Sequence, residues 1–351
     1  MRTLTARCPT RIDLAGGTLD IWPLNMLVTG ALTVNVAIDL WASAEVKDLA
    51  AGALAGPTAR AEIRSEDQGV EEVWASAGSA PGETKLPLLA ACARYMCAPY
   101  GDPEQGFALT TRCASPAGAG LGGSSSLAIA VLGALQSFLG RPVMPPDEMV
   151  LVARDLEALV LGIPTGTQDH IAATYGGAAA IRYGAGLSVR EPLQVDLERL
   201  GSRLVVSYAG ASRLSASTNW DMMKRAIEGG GGEGTARACL QSIASIAGEM
   251  RAALIEGDLD AAGALLGREW EVRQKLSPKV STALIEKALA AARAGGALAG
   301  KVCGAGGGGC VVFVCKEGAR GGVEKALAAL SSEGIRLLPA SPTRSGLQLA
   351  A

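Results

Sequence analysis

The residues best equipped for chemistry sit in a few short stretches. Residues 115–126 read S-P-A-G-A-G-L-G-G-S-S-S, with Gly118, Gly120, Gly122 and Gly123 inside six positions and an apolar run from Leu127 to Leu139 behind them. Glycine lacks a Cβ, so such a loop can take positive φ and bring its backbone close to a ligand. The first turn of a helix leaves amide donors without partners at the positive end of the helix dipole. A glycine loop that feeds a helix is therefore a seat for phosphate. Ser124 to Ser126 add hydroxyls at the same end, where a phosphate oxygen or a metal ion can be held. A tight turn with a serine N-cap is the plain alternative.

Charges in apolar settings come next. Arg11, Asp13 and Asp20 lie in P-T-R-I-D-L-A-G-G-T-L-D-I-W-P-L, residues 9–24. They suit either a cleft that offers a cation and carboxylates to a polar ligand or a surface turn with a salt bridge. G-I-P-T-G-T-Q-D-H, residues 162–170, makes a rigid turn that presents Asp169 and His170 at the start of a short helix. Glu157 lies in the last turns of the preceding helix. Mg²⁺ takes hard oxygen ligands, so Ser124 and Glu157 are candidates, provided their two helices pack side by side. His170 is the single histidine, which removes most two-histidine metal sites. No G-x-S-x-G elbow accompanies a serine, so a hydrolase triad has no support.

The loop also fits two well-known phosphate signatures imperfectly. Gly118, Gly120 and Gly123 satisfy G-x-G-x-x-G, but a dinucleotide site needs an acidic residue about 20 positions on. Gly140, Arg141 and Pro142 stand there. A P-loop ends in G-K-[ST], and no lysine occupies that place. A nucleotide phosphate cradle built from loop, helix end and serine remains.

The chain has 351 residues, more than one core usually serves, so two domains are expected. With 49% hydrophobic and 19% charged residues it reads as globular, and a net charge of -2 without a basic stretch argues against nucleic acid as a partner. The N-terminus has no apolar core of the signal type, and no apolar run is long enough to span a bilayer. Eight cysteines without a C-x-x-C pair suit reduced thiols and a cytoplasmic location. Monomer and homodimer are both left open.

These residues must be carried by alternating strands and helices. The patterns predict strands at 3–8, stopped by Pro9, and at 31–46, with Leu32, Val34, Val36, Ile38 and Leu40 on one face. A strand at 59–64 precedes a loop over 65–83, in which Trp74 is either a core anchor or a ring over a ligand. A helix at 86–97 and a strand at 106–112 lead to the glycine loop. The helix at 124–139 is apolar almost all round and hence buried. A helix at 147–162 starts at Asp147, a short one covers 169–175, and a strand opens at 178. The second half has a strand at 203–208, helices near 212–228, 235–256, 258–275 and 278–294, and a strand–turn–strand over 301–314. A helix at 319–333 and short strands near 335–339 and 345–350 close the chain. The 301–314 turn has five glycines in six positions, more than a hairpin needs; it can press a backbone loop against something close by, the first glycine loop included.

Three segments together, residues 9–20, 115–126 and K-V-C-G-A-G-G-G-G-C at 301–310, resemble the GHMP kinases, in that family's order and at its usual distances. The resemblance implies an α+β fold. Residues 1–190 would form a domain like domain 2 of ribosomal protein S5, and residues 191–351 a ferredoxin-like domain, with ATP and substrate meeting between them. It implies that Pro116, Gly118, Ala119, Gly120, Leu121, Gly122, Gly123, Ser124 and Ser125 wrap the ATP phosphates and that Ser124 and Glu157 hold Mg²⁺. G-x-P-x-G-x-x-D puts Asp169 at the catalytic carboxylate, and Arg11 falls near the transferring phosphoryl group. Gly17, Thr18, Asp20, Asp169, His170 and Gly306 fall on the substrate side. Galactokinases carry Glu-His where this chain has Gly17 and Thr18. The R-I-D-L-A-G-G form is more similar to fucokinases and bacterial heptose 7-phosphate kinases, as is the segment 208–215 with Arg213. The implied activity is ATP-dependent phosphorylation of the anomeric hydroxyl of a sugar or sugar phosphate. A galactokinase, or a kinase of an isoprenoid or amino alcohol, is the alternative. His170 orients the sugar or simply packs at a helix start, and Trp22 lies on a sugar face or fills the core.

Overall fold

A computed structural model describes residues 2–49, 61–78, 83–98, 106–185, 188–210, 215–229, 232, 234–277, 279–304 and 306–350. Arg213 lies outside these residues, as does part of the glycine run 229–232. The chain builds two sheets. The first is anchored by two long antiparallel strands, β1 (Thr3–Ala15) and β2 (Leu32–Asp48). The far half of β2 pairs with β5 (Phe107–Cys113), and its near half with β6 (Ala178–Tyr183). One strand thus serves two neighbours on the same side, which accounts for its length. β3 (Ala61–Ser65) and β4 (Val70–Trp74) extend the sheet beyond β5, and β7 (Ser188–Leu193) extends it beyond β6.

Two expectations are corrected here. Pro9 does not stop β1: the register shifts between Pro9 and Thr10, and an irregularity of this kind tolerates a residue with no amide donor. The stretch 65–83 is not all loop, because β4 pairs with β3 across a turn at residues 66–69. Trp74 closes β4 as a buried core anchor, its indole N–H bonded to Glu72 at 2.8 Å. β7 and the short helix α6 (Leu197–Arg203) have no clear pattern in the sequence; β7 is half-exposed and reads polar.

On this sheet lie α2 (Pro87–Cys97), α3 (Gly123–Phe138), α4 (Pro146–Leu161) and α5 (Gln168–Tyr175). α3 is buried on all sides, as its sequence requires. α4 begins at Pro146, with Asp147 inside its first turn, where it accepts the Tyr175 hydroxyl at 2.6 Å instead of capping the helix. The buried face of α4 is Met149, Val150, Ala153 and Glu157, so an acidic side chain is turned inward with the apolar ones.

The second sheet is four-stranded and antiparallel, in the order β11 (Arg336–Leu338), β8 (Leu204–Tyr208), β10 (Cys310–Cys315), β9 (Ala297–Val302). α7 (Ser215–Glu228), α8 (Ala236–Glu256), α9 (Leu259–Gln274), α10 (Ala283–Ala294) and α11 (Arg320–Ala328) belong to this half. The chain then returns to the first sheet, where β12 (Gln348–Ala350) pairs with β1. One apolar cluster runs through both halves: Ile12, Val34, Val36 and Ile38 share it with Ile246 and Met250 of α8 and with Val206 and Val312 of the second sheet. This shared cluster packs the two halves against each other beside the cleft. No helix among the described residues is long and apolar enough to cross a membrane, and all eight cysteines are free.

Candidate active site

The sequence-flagged stretches converge on one cleft of about 610 Å³, walled by both halves of the molecule. Arg11, Gly17, Thr18 and Asp20, the glycine loop over Pro116–Gly120 and Gly122–Ser125, and Ile163 to Gly166 with Gln168 and Asp169 line it together. Asn219 and Gly304 reach in from the second half.

The glycine loop has the form its composition demands. Gly118, Gly120 and Gly122 have φ of 68, 73 and 76°, where side chains are unfavourable. Gly122 stands at the N-cap position of α3, and no side chain caps that helix. Its first amides are therefore left for a ligand. The second glycine turn presses directly onto the loop: Cys310 N–H donates to the Ala119 carbonyl at 2.7 Å, and a Cβ on Gly120 would lie 2.3 Å from the Cys303 carbonyl oxygen. The excess glycine at 304–309 thus serves contact between two backbones. Leu121 is the loop residue that faces away, fully buried in the shared core, and its carbonyl accepts the Arg11 amide at 2.9 Å.

Asp169, at the start of α5, lies against this loop. A Cβ on Gly122 would stand 3.0 Å from the Asp169 side chain. Arg11 Nε donates to Asp169 Oδ1 at 2.7 Å, and Arg11 Nη1 donates to the Gly120 carbonyl at 2.6 Å. One guanidinium therefore ties the carboxylate to the loop. Burial opposes the charge on Arg11, but Asp169 and Asp13 outweigh it and raise its pKa above the usual value. Asp169 keeps 24% of its side chain exposed to the cleft, against 4% for Arg11.

Asp20 faces the same space. It accepts the Gln168 amide at 3.2 Å, and its carboxylate lies where a side chain on Gly166 would have to go. Burial, and then the nearby charge of Asp169, push its pKa up to about 6.

Behind the loop, α3 and α4 do pack side by side and bring the predicted metal residues together. Ser125 donates to Glu157 Oε2 at 2.9 Å, and Ser124 is the exposed hydroxyl at the cleft. Burial raises the Glu157 pKa, but hydrogen bonds and charge from His170, Ser125 and Ser124 bring it below the ordinary carboxylate range. Among the described residues no group of three or more His, Cys, Asp and Glu could cage a metal. One carboxylate with a hydroxyl fits Mg²⁺, which commonly takes one or two protein ligands and fills the rest with substrate phosphate and water.

Three expected residues sit elsewhere. His170 is fully buried with Nε2 3.3 Å from Glu157 Oε2, behind the loop and away from the cleft wall. It lies one position past Asp169 on α5, so its side chain points to a different side of the helix. Gly306 packs on Val280, and it is Gly304 that reaches the cleft. Trp22 is 66% exposed, so it does not fill the core.

The sequence did not single out Lys85, Leu88, Asp67 and Gln68, which also line the cleft. Nor did it single out Glu269, Arg273 and Lys301, which form buried ion pairs with one another and with Asp13. The i,i+4 spacing of Glu269 and Arg273 on an otherwise core-facing helix was the one signal available.

A two-layered first half with an uncapped, glycine-fed helix, facing an antiparallel second half across a cleft with a carboxylate and a cation, defines a phosphotransferase of the two-domain small-molecule type. The family model for the GHMP kinases N-terminal domain matches residues 87–177, and that for the GHMP kinases C-terminal domain matches residues 250–334. The chain belongs to the GHMP kinase family. It is 26% identical over 317 residues to a D-glycero-alpha-D-manno-heptose 7-phosphate kinase of Campylobacter jejuni, covering 89% of each chain. It is 25% identical over 330 residues to a bifunctional fucokinase/GDP-fucose pyrophosphorylase of Arabidopsis thaliana, covering 90% of this chain and 30% of that one. Among solved structures, a D-glycero-D-manno-heptose 1-phosphate kinase from Bacteroides thetaiotaomicron superposes with a TM-score of 0.77 at 25% identity, covering 99% of both chains.

Proposed function

We propose that this protein is an ATP- and Mg²⁺-dependent sugar kinase that phosphorylates the anomeric hydroxyl of a sugar or sugar phosphate of the heptose 7-phosphate or fucose kind. The observation that carries this reading is the contact of Asp169 with Gly122, with Arg11 bridging Asp169 to the Gly120 carbonyl. A carboxylate, a fixed cation and a phosphate seat share one cleft.

In this reading the loop amides and the start of α3 cradle the ATP phosphates. Asp169 accepts the proton of the attacking hydroxyl, and its Oδ1 is held by Arg11 so that the carboxylate keeps one orientation. Arg11 spreads the negative charge that develops on the transferring group. Ser124 and Glu157 would hold Mg²⁺, which when bound neutralises phosphate charge. Asp20, with Gly17 and Thr18 beside it, accepts hydroxyls of the sugar and sets the reacting one near Asp169. Phosphoryl transfer depends on position more than on covalent help, and the bonds of Arg11 to Asp169 and to the Gly120 carbonyl support that positioning.

The test is an ADP-release assay across free and phosphorylated sugars, with mevalonate as a control. Turnover of a heptose or fucose-type sugar with product phosphate at C1 supports the reading. Turnover of mevalonate alone, or of none, overturns it. Whether the preferred sugar carries a phosphate is read from the same panel.

A further inference from the structure

Four charged side chains meet away from solvent where the two halves join. Asp13 comes from β1, Glu269 and Arg273 from α9, and Lys301 from β9, each with at most 1% of its side chain exposed. Lys301 Nζ lies 2.9 Å from Asp13 Oδ2 and 3.1 Å from Glu269 Oε2. Arg273 Nε donates to Glu269 Oε1 at 3.0 Å, and Nη2 bonds the same oxygen. Two cations balance two anions. Replacing such a buried cluster with apolar groups is often neutral or stabilising, so its presence is weak support for a role in stability.

Arg273 also reaches beyond the cluster. Its Nη2 donates to the Gly17 carbonyl at 2.8 Å, and its Nη1 to the Thr18 hydroxyl at 3.3 Å. Thr18 has φ of 81°, the only positive φ at a non-glycine position among the described residues. A β-branched side chain is strained there, and such strain persists only when its surroundings enforce it. Two residues later Asp20 stands in the cleft. Gly17, Thr18 and Asp20 line the cleft, whereas Arg273 does not.

We propose that Arg273, held by Glu269 and the buried quartet, is a positioning residue that sets the Gly16–Ile21 turn so that Asp20 faces the sugar. The quartet spends buried charge on the shape of the substrate side. This role rests on the sugar-kinase reading, but the shape of the turn can be measured without it.

The decisive variant is Arg273→Met with Glu269→Met, which removes one charge of each sign and leaves Lys301 paired with Asp13. Hydrogen exchange of the ligand-free protein reports the turn, because the amides of Leu19 and Ile21 bond to the carbonyls of Gly16 and Thr18. Exchange at these two amides should rise about tenfold or more while α3 amides stay unchanged. With the sugar that the wild type phosphorylates, the sugar KM should rise by about tenfold or more, with the KM for ATP within about twofold. Arg273→Lys keeps the charge beside Glu269 but lacks the fork, and should fall between the two. Wild-type exchange at Leu19 and Ile21 in a folded variant overturns the proposal, as does a parallel loss of sugar and ATP affinity. Failure of both variants to fold also overturns it, since the quartet is then scaffolding alone. A wild type that phosphorylates no sugar sinks the kinase reading, while the exchange result still decides whether Arg273 shapes the turn.

Discussion

Arg11 and Asp169 are 158 positions apart in the chain, yet Arg11 Nε donates to Asp169 Oδ1 at 2.7 Å, and the same guanidinium holds the glycine loop through Gly120. The proposed acceptor for a proton and the proposed seat for a phosphate are thereby tied to each other by one side chain. Asp169→Asn keeps the shape and removes the basic oxygen. It should lower kcat by about 10²–10⁴, while the affinity for a non-hydrolysable ATP analogue stays within a few-fold of wild type. Retained turnover, measured by ADP release, would discard Asp169 as the base.

Asp20 couples binding to pH. Its pKa is raised from 3.8 to about 6, so the folded protein holds this proton more tightly than the unfolded chain. The ionised carboxylate is therefore a cost to folding above about pH 6, and the cost fades between 6 and 3.8 as the folded form protonates. Asp20→Asn should gain stability at pH 7.5 by up to about 3 kcal/mol and gain nothing below pH 3.8, as read by denaturant unfolding at the two pH values. If Asp20 grips sugar hydroxyls as proposed, protonating it turns one acceptor oxygen into a donor, and the sugar KM should climb as pH falls through about 6.

The two neighbouring serines should separate cleanly. Ser124 is exposed at the cleft, and Ser124→Ala should raise the Mg²⁺ concentration needed for half-activity by roughly tenfold or more, with little change in melting. Ser125 donates to buried Glu157 at 2.9 Å. Ser125→Ala leaves that carboxylate short of a donor and should cost about 1–3 kcal/mol. An unaltered Mg²⁺ titration in Ser124→Ala would remove Ser124 from the ion's ligands.

The contact between the glycine turns can be probed at Gly120. A Cβ there would meet the Cys303 carbonyl oxygen at 2.3 Å, at a φ of 73° that is itself unfavourable. Gly120→Ala should destabilise the protein by about 2 kcal/mol or more and weaken ATP-analogue binding, because the loop must shift from the second turn. A variant that melts like wild type and binds the analogue normally would show that the two loops move independently.

Much of the site was readable from local pattern. The glycine spacing at 118–123 and the apolar run behind it demand a loop feeding a buried helix. G-I-P-T-G-T-Q-D demands a turn that presents Asp169. Alternation over 31–46 demands a long strand. Each of these signals comes from backbone freedom or from burial on one face, which neighbours in sequence carry. Pro9 and β4 depart from the local pattern for the converse reason: a bulge tolerates a proline, and polar residues make a strand when a partner lies alongside.

Residue types and spacing determined that this chain would build a glycine loop feeding a buried helix, with a carboxylate presented by a rigid turn. Only the tertiary structure decided which charges face the cleft. His170 turns inward to Glu157, Ser125 donates to that carboxylate while Ser124 stays exposed at the cleft, and Arg273 reaches across 255 positions to Thr18. The physical reason is that burial and Coulomb attraction between side chains depend on distance in space, and a linear pattern carries distance only as far as one helix or one hairpin extends.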